Sequence, residues 1–416
     1  MRKGSGTMKS CILPVFAFIA AFAAPAAQIV SDVSVSESGD LIVAAYTLSE
    51  DAIVVADVQT NVADGVYASV GGERQWTLEG DVNKSVSAGR RSFSWTPSSD
   101  LPDCDVDAAR VKVVVTAYPA GDAPDYMVVS LSTASVDRVS YYPGVEWLPG
   151  GLLANGDYLS SKIVMKHIRA RGESFRMGSL GGVGSSASNE RSHTVTLTND
   201  FWLGVFEATY AQMYRFGSGT TSALPLKNFK YDDIRGSTAS YDWPVKPAPG
   251  SSIGRLRADT GVPFDLPAEA QWEFACRAGY GEGYLGDGSP VAELVGGVTV
   301  YNVKYMGCLD KPWSSTDCSV RGGSYRPNAW GLYDMYGNEA EFCVDWYKAD
   351  ISANALGEVV TSGSSKVVRG GCFTTGVAAC QSALRSQYAP GGNNHEAGFR
   401  LYSPYGFQNE TLVDAE

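Results

Sequence analysis

Between residues 28 and 139 apolar and polar side chains alternate in short runs, a spacing that suits strands and defeats an amphipathic helix. The runs are IVSDVSV from Ile29, LIVAAYT from Leu41, AIVVADV from Ala52, SFSW from Ser92, RVKVVVTAY from Arg110 and YMVVSL from Tyr126. Turn formers separate them at Ser38 to Asp40, Gly71 and Gly72, Asp81 to Asn83, and Pro97 to Asp100. Short strands at this interval predict an all-β, immunoglobulin-like or fibronectin-like sandwich over 28–139. Nothing in that stretch points to chemistry, which leaves a spacer or docking module, with Cys104 isolated in it. Glycine and proline mark 140–158 as a linker, and an acidic tail is expected over 406–416.

After the linker the pattern changes. Short strands mix with Gly-rich irregular stretches and two helix signals. One follows Thr209, a suitable N-cap. The other spans Leu266 to Gly279, with Pro267 at the expected first helical position, Glu269 favouring the positive end and Gly279 as a stop. On that helix Trp272 and Cys276 share a face, and Glu273 and Arg277 can pair.

The first 27 residues carry Arg2, Lys3 and Lys9, then an apolar stretch from Cys11, then Ala24 to Ala27. That is the order of a cleavable secretory signal peptide, so the mature chain is expected outside the cytoplasm with no membrane span. The formal net charge of −12 repels phosphate backbones and argues against nucleic acid. Eight cysteines and three histidines occur, with no C-x-x-C, so zinc of the usual Cys/His spacing is not expected. Removing Cys11 leaves an odd number, so at least one thiol stays free or pairs between molecules; Cys308 and Cys318 are close enough in sequence to close a small loop. No G-x-S-x-G and no convincing acid/base carboxylate pair appears.

Several motifs occur in a fixed order: FRMGS from Phe175, HTVTL from His193, FWLGVFEAT from Phe201, LPAEAQWE from Leu266, NAWGLYDMYGNEAEF from Asn328, VRGG from Val368 and GFR from Gly398. Together they resemble the formylglycine-generating enzyme (sulfatase-modifying factor) family over about 160–405. The resemblance implies an α+β fold for 159–405, a C-type lectin-like domain with much irregular backbone. It also implies a calcium site. Asp334 and Glu341 would ligate through side chains, and Gly337 and Glu339 through backbone oxygens; hard oxygen ligands around a glycine suit calcium. Asn302, Val303 and Asp317 resemble a second calcium site with altered spacing.

Enzymes of that family oxidise a substrate cysteine to formylglycine with a copper ion held by a C-x-x-x-x-C pair after R-G-G-S-Y. Soft thiolates select Cu(I), so the pair is not casually replaced. Here the segment reads RGGCFTTGVAACQSALR, and seven residues separate Cys372 from Cys380. Cys372 stands where the enzymes have Ser, and Ala340 stands where they have a groove Trp. In relatives that look non-catalytic a cysteine at the place of Cys276 accompanies one at that of Cys380, which implies a Cys276–Cys380 disulfide. The favoured reading is therefore an exported, non-catalytic binding module for a peptide, protein or glycan. Cys372, Thr375, Arg385 and His395 are its candidate groove residues. The alternative is a divergent copper oxidase using Cys372 and Cys380. An iron-dependent sulfoxide synthase chemistry needs a His cluster from a helical partner domain, and three scattered histidines beside a β-rich segment argue against it.

Overall fold

The computed structural model describes residues 29–406 apart from 64, 72–76, 105, 133–136, 180–188, 215–221, 282–283, 286–287, 291, 296–297, 302–318, 376–378 and 393–395. For 292–295 and 298–301 it describes the backbone alone. The expected signal peptide, His395, Asn302, Val303, Asp317, Cys308, Cys318 and nearly all of the acidic tail lie outside the described residues. The chain is mostly β with few helices and divides into two compact units. Unit 1 comprises 1–128 and 139–155, and unit 2 comprises 129–138 and 156–416.

Unit 1 contains β1 (Val30–Ser38), β2 (Leu41–Leu48), β3 (Ala52–Ala63), β4 (Val66–Ser69), β5 (Glu79–Gly80), β6 (Lys84–Val86), β7 (Gly89–Trp95), a single-turn α1 (Pro97–Asp100) and β8 (Val111–Pro119). One antiparallel sheet runs β1-β2-β7-β5, and in the other β3 pairs with β4, β6 and β8. Alternation explains the burial: in β2, Ile42, Ala44, Tyr46 and Leu48 face inward, and their neighbours do not. These meet Val54, Ala56 and Val58 of β3 and Phe93 and Trp95 of β7 in one core. The polar tips of its aromatics are satisfied. Trp95 Nε1 donates to Asp100 at 2.8 Å, and Tyr46 Oη donates to the Asp81 carbonyl. β9 (Tyr126–Ser130) and β10 (Val139–Tyr142) follow. The stretch read as linker contains β10 and short 3₁₀ turns at Val145–Trp147 and Gly156–Leu159, because Tyr141, Leu148 and Tyr158 have apolar side chains to bury.

Unit 2 is built from small sheets. β11 (Lys162–Ile168), β14 (Phe201–Gly204) and β21 (Tyr402–Pro404) pair antiparallel. β12 (Ser174–Met177) pairs with β13 (His193–Thr196), and β15 (Ala292–Val295) with β16 (Val298–Tyr301). β17 (Ala340–Trp346), β18 (Lys366–Arg369), β19 (Ser386–Tyr388) and β20 (Ala397–Gly398) form a sheet of order β19-β18-β17-β20, in which only β17 and β20 run parallel. The helices are short: α2 (Tyr210–Tyr214), α3 (Tyr231–Arg235), α4 (Thr238–Tyr241), α5 (Ser252–Thr260) and α6 (Glu269–Arg277). Thr209 caps α2 as expected, its Oγ1 accepting the Gln212 N–H while Gln212 Oε1 accepts the Thr209 N–H.

Close backbone approach compensates for the scarcity of long elements. In α5 a Cβ on Gly254 would lie 1.8 Å from the Ala248 carbonyl oxygen. Helix propensity alone favours alanine over glycine by about 1 kcal/mol. Here the clash reverses the sign, and Gly254→Ala is expected to destabilise unit 2 by about 1–3 kcal/mol. Urea unfolding of the full chain checks this; a stabilised variant would show that the helix can shift away.

Candidate functional site

Helix α6 organises unit 2. Its N-cap, Ala268, has no side-chain acceptor, so the first turn is closed from elsewhere. Gln271 Oε1 accepts the Ala268 N–H at 2.9 Å, and Asp345 of β17 accepts the Glu269 N–H at 2.7 Å. Pro267 therefore precedes the cap instead of opening the helix. The helix stops at Ala278, φ 47°, followed by Gly279, φ 90°. Trp272 and Cys276 point together into the core with Phe201, Leu332 and Cys343.

The acids of α6 also point inward, and each finds an arginine. Glu273 accepts from Arg277 one turn on, at 2.5 and 2.9 Å, from the Gly178 N–H at 2.8 Å, and from Arg369. These partners outweigh burial and hold its carboxyl below the usual range. Arg369 lies 5.3 Å over the Trp272 ring and donates to the carbonyls of Ser382, Ala383 and Leu384. Glu269 takes a bidentate pair from Arg385, at 2.6 and 2.8 Å. Arg385 is 6% exposed and also donates to the carbonyls of Asn189 and Lys348. It is not a groove residue: buried Glu269 draws it inside.

The thiols are buried as well. Cys276, Cys343, Cys372 and Cys380 are free, so the structure has two thiols where a Cys276–Cys380 bridge was expected, although both belong to one core cluster. The Cys276 thiol donates to the Met335 carbonyl at 3.6 Å. Burial pushes Cys276 and Cys380 up to about 12 and raises Cys372. Cys372 Sγ lies 3.3 Å from Thr374 Oγ1 and 3.5 Å from Glu396 Oε2, and that carboxylate further disfavours a thiolate. Thr375 closes the turn on Cys372, its Oγ1 accepting the Cys372 N–H and donating to the Cys372 carbonyl, both at 2.9 Å. Of the groove candidates, Cys372 is 1% exposed and Thr375 half-buried.

The acidic loop gathers more charge than its sequence discloses. Asp334, Gly337 and Asn338 all have positive φ (59°, 93° and 67°), which coils the loop tightly. Asp334 Oδ2 accepts the Gly323 N–H at 3.0 Å, while buried Oδ1 has no hydrogen-bond partner. Glu339 Oε1 accepts from Ser319. Glu341 accepts from Trp272 Nε1 at 2.6 Å and from Arg400 at 2.7 Å. Arg400 further donates to the carbonyls of Gly204, Val205 and Tyr333. Glu207, which the sequence shows only as part of a motif, accepts from Asn338 Nδ2 at 2.6 Å and from the Glu339 N–H at 2.9 Å. Burial first, and then Asp334 and Glu341, raise Glu207 well above the carboxylate range. Burial likewise pushes Asp334 up to about 6.

The loop is knitted to the cysteine segment by backbone bonds. Gly337 N–H goes to Gly370 O, Phe373 N–H to Asn338 O, and Ala340 N–H to Glu396 O, each at 2.9–3.0 Å.

Residues 159–403 match the sulfatase-modifying factor enzyme 1-like domain. The chain belongs to this family. It is similar to the formylglycine-generating enzyme of Streptomyces coelicolor, 27% identical over 278 residues, covering 56% of this chain and 87% of that enzyme. It also resembles the serine/threonine-protein kinase pkn1 of Chlamydia pneumoniae, 31% identical over 142 residues, covering 32% of this chain and only 20% of the kinase. Among solved structures, PvdO from Pseudomonas aeruginosa superposes with a TM-score of 0.46 at 20% identity, covering 58% of this chain and 94% of PvdO.

Proposed function

We propose that the sulfatase-modifying-factor-like domain is a non-catalytic binding module of an exported protein, and that it presents a peptide, protein or glycan surface instead of a copper centre. The observation that carries this reading is the state of the thiols. Cys372 and Cys380 have seven residues between them, are buried and are raised in pKa, and Glu396 faces Cys372. Cu(I) binds as a thiolate complex, and the altered spacing together with these raised thiols weighs against that pair as its site. Phe373, Thr374 and Thr375 of the same segment are half-buried, with Lys227 seated 4.8 Å over the Phe373 ring.

The acidic loop fits calcium better. Asp334 has a buried oxygen without a partner, and Glu207, Asp334 and Glu341 all feel the charge of Arg400. Among the described residues no three His, Cys, Asp or Glu side chains form a metal cage, so backbone oxygens must supply part of the shell. Asp334 and Glu341, with the carbonyls of Gly337 and Glu339, would hold the ion, which supplies positive charge and no chemistry. Export rests on the N-terminal apolar stretch; among the described residues no helix is long and apolar enough to cross a membrane.

The test is a Cu(I) titration of the full chain with thiol labelling before and after denaturation, followed by incubation with a cysteine peptide and oxygen. The expected result is no stoichiometric copper, slow native labelling that becomes fast in denaturant, and an unmodified peptide. Tight copper binding with formylglycine in the peptide would overturn the reading.

A further inference from the structure

We propose that residues 347–365 form a strap across α6 and β13 that a proton on Asp345 helps to hold shut, so that the strap opens more readily as the pH rises. The strap joins β17 to β18 and is irregular throughout. At its base the Trp346 N–H donates to the Val360 carbonyl at 2.9 Å, and the Tyr347 N–H to the Ser365 carbonyl at 2.8 Å. Its middle meets β13 through the Thr196 N–H on the Ala355 carbonyl at 2.8 Å, and the exposed Asp350 pairs with Arg191 at 2.8 Å. Gly357, φ 62°, sits so close that a Cβ there would lie 2.7 Å from Ala270 of α6 and 3.0 Å from Val195 of β13. Irregular segments anchored at a few points are the ones that open without the rest of a domain.

Asp345, near the end of β17, ties the strap to the helix. Its two oxygens accept the Val360 N–H at 2.9 Å and the Glu269 N–H at 2.7 Å, and it is 2% exposed. The other buried acids of α6 and β17, Glu269, Glu273 and Glu341, each pair with an arginine, whereas Asp345 pairs with no cation. The groups that face it are Glu269 of α6, Lys366 of β18, Tyr231 of α3 and Cys343 on its own strand. Lys366 bonds Asp242 and the Val344 carbonyl instead. A buried carboxyl beside a second carboxylate holds its proton. Burial first, and then Glu269, push Asp345 up to about 7, against the pull of the two N–H donors and Lys366. When the strap lifts, Val360 leaves and the carboxyl returns to water and toward its ordinary 3.8. Closing therefore takes up a proton. That contribution is complete below the ordinary value and is lost as the pH rises through about 7. Opening also withdraws the Lys348 carbonyl from Arg385 and uncovers Ala270 and Val195.

The experiment is amide hydrogen exchange of the full chain between pH 6 and 8, read by mass spectrometry and corrected for the intrinsic pH dependence of exchange. Peptides from 347–365 are compared with peptides from β14 and β18, for the wild type, Asp345→Asn and Asp350→Asn. The expected result is a strap that opens apart from the core, with wild-type protection falling about tenfold from pH 6 to 8, as a carboxyl at about 7 dictates. Asp345→Asn has no proton to lose and should flatten the profile. Asp350→Asn removes the strap acid that feels His193 and should leave the tenfold change in place. A flat wild-type profile, a change that survives in Asp345→Asn, or a strap that opens only together with the core would overturn the proposal. Should Asp345→Asn fail to fold, the wild type and Asp350→Asn decide, because a change that vanishes with Asp350 belongs to His193 and equally overturns it.

Discussion

Arg369→Ala is expected to destabilise unit 2 by about 3–5 kcal/mol, the range seen when one partner of a buried ion pair is removed. Arg369 is fully buried and is the second cation on Glu273; without it that carboxylate keeps Arg277 and the Gly178 N–H, and the carbonyls of Ser382, Ala383 and Leu384 lose their donor. The lost contact over Trp272 adds to the effect. For a unit of this size the melting temperature should fall by roughly 6–20 °C. Calorimetry of the full chain reads this, with the transition of unit 1 as an internal reference. Arg369→Lys should recover little, since an ammonium keeps the charge but not the planar fork that reaches three carbonyls and a carboxylate. A loss below about 1 kcal/mol would mean that the network is cosmetic.

Arg400→Ala should be comparably damaging, by about 3–5 kcal/mol near neutral pH, and should carry a pH signature that Arg369→Ala lacks. Arg400 is the cation that lowers the pKa of both Glu207 and Asp334 and pairs with Glu341. Asp334 already stands at about 6 in the folded chain against an ordinary 3.8, so the folded state keeps a proton that the unfolded chain has released. Such a group stabilises fully below the unfolded value, and its contribution is lost as the pH rises through the folded one. Removing Arg400 raises these carboxyls further and extends the loss to higher pH. In EDTA the variant should regain stability on acidification from pH 7 to 5, and Glu341→Gln in the Arg400→Ala background should recover part of it. A pH-independent deficit would refute the electrostatic account and leave only lost packing and backbone bonds.

Local signals held where the physics is local. Alternation in β2 and β3 predicted which side chains enter the core of unit 1. The Thr209 cap, the shared face of Trp272 and Cys276, and the Glu273–Arg277 pair all depend on residues within one helical turn. Where a partner lies far along the chain the reading failed. Arg385 looked free to meet a ligand because Glu269, 116 residues away, is invisible from its neighbourhood. Pro267 looked like a helix start because the donor-satisfying group, Asp345, comes from β17. Glu207 passed as a motif letter because its bonds to Asn338 and Glu339 span more than 130 residues.

From its sequence alone the protein is a strand-built N-terminal segment followed by a sulfatase-modifying-factor-like domain with seven residues between Cys372 and Cys380. Those properties are carried by residue order, which side-chain periodicity and spacing express directly. Only the tertiary structure decided that Cys276, Cys343, Cys372 and Cys380 are buried thiols, that Arg369, Arg385 and Arg400 face inward, and that Glu207 joins the acidic loop. Charge pairing and burial depend on distance in space, and in a domain of short strands and irregular backbone the chain brings together residues that no local pattern connects.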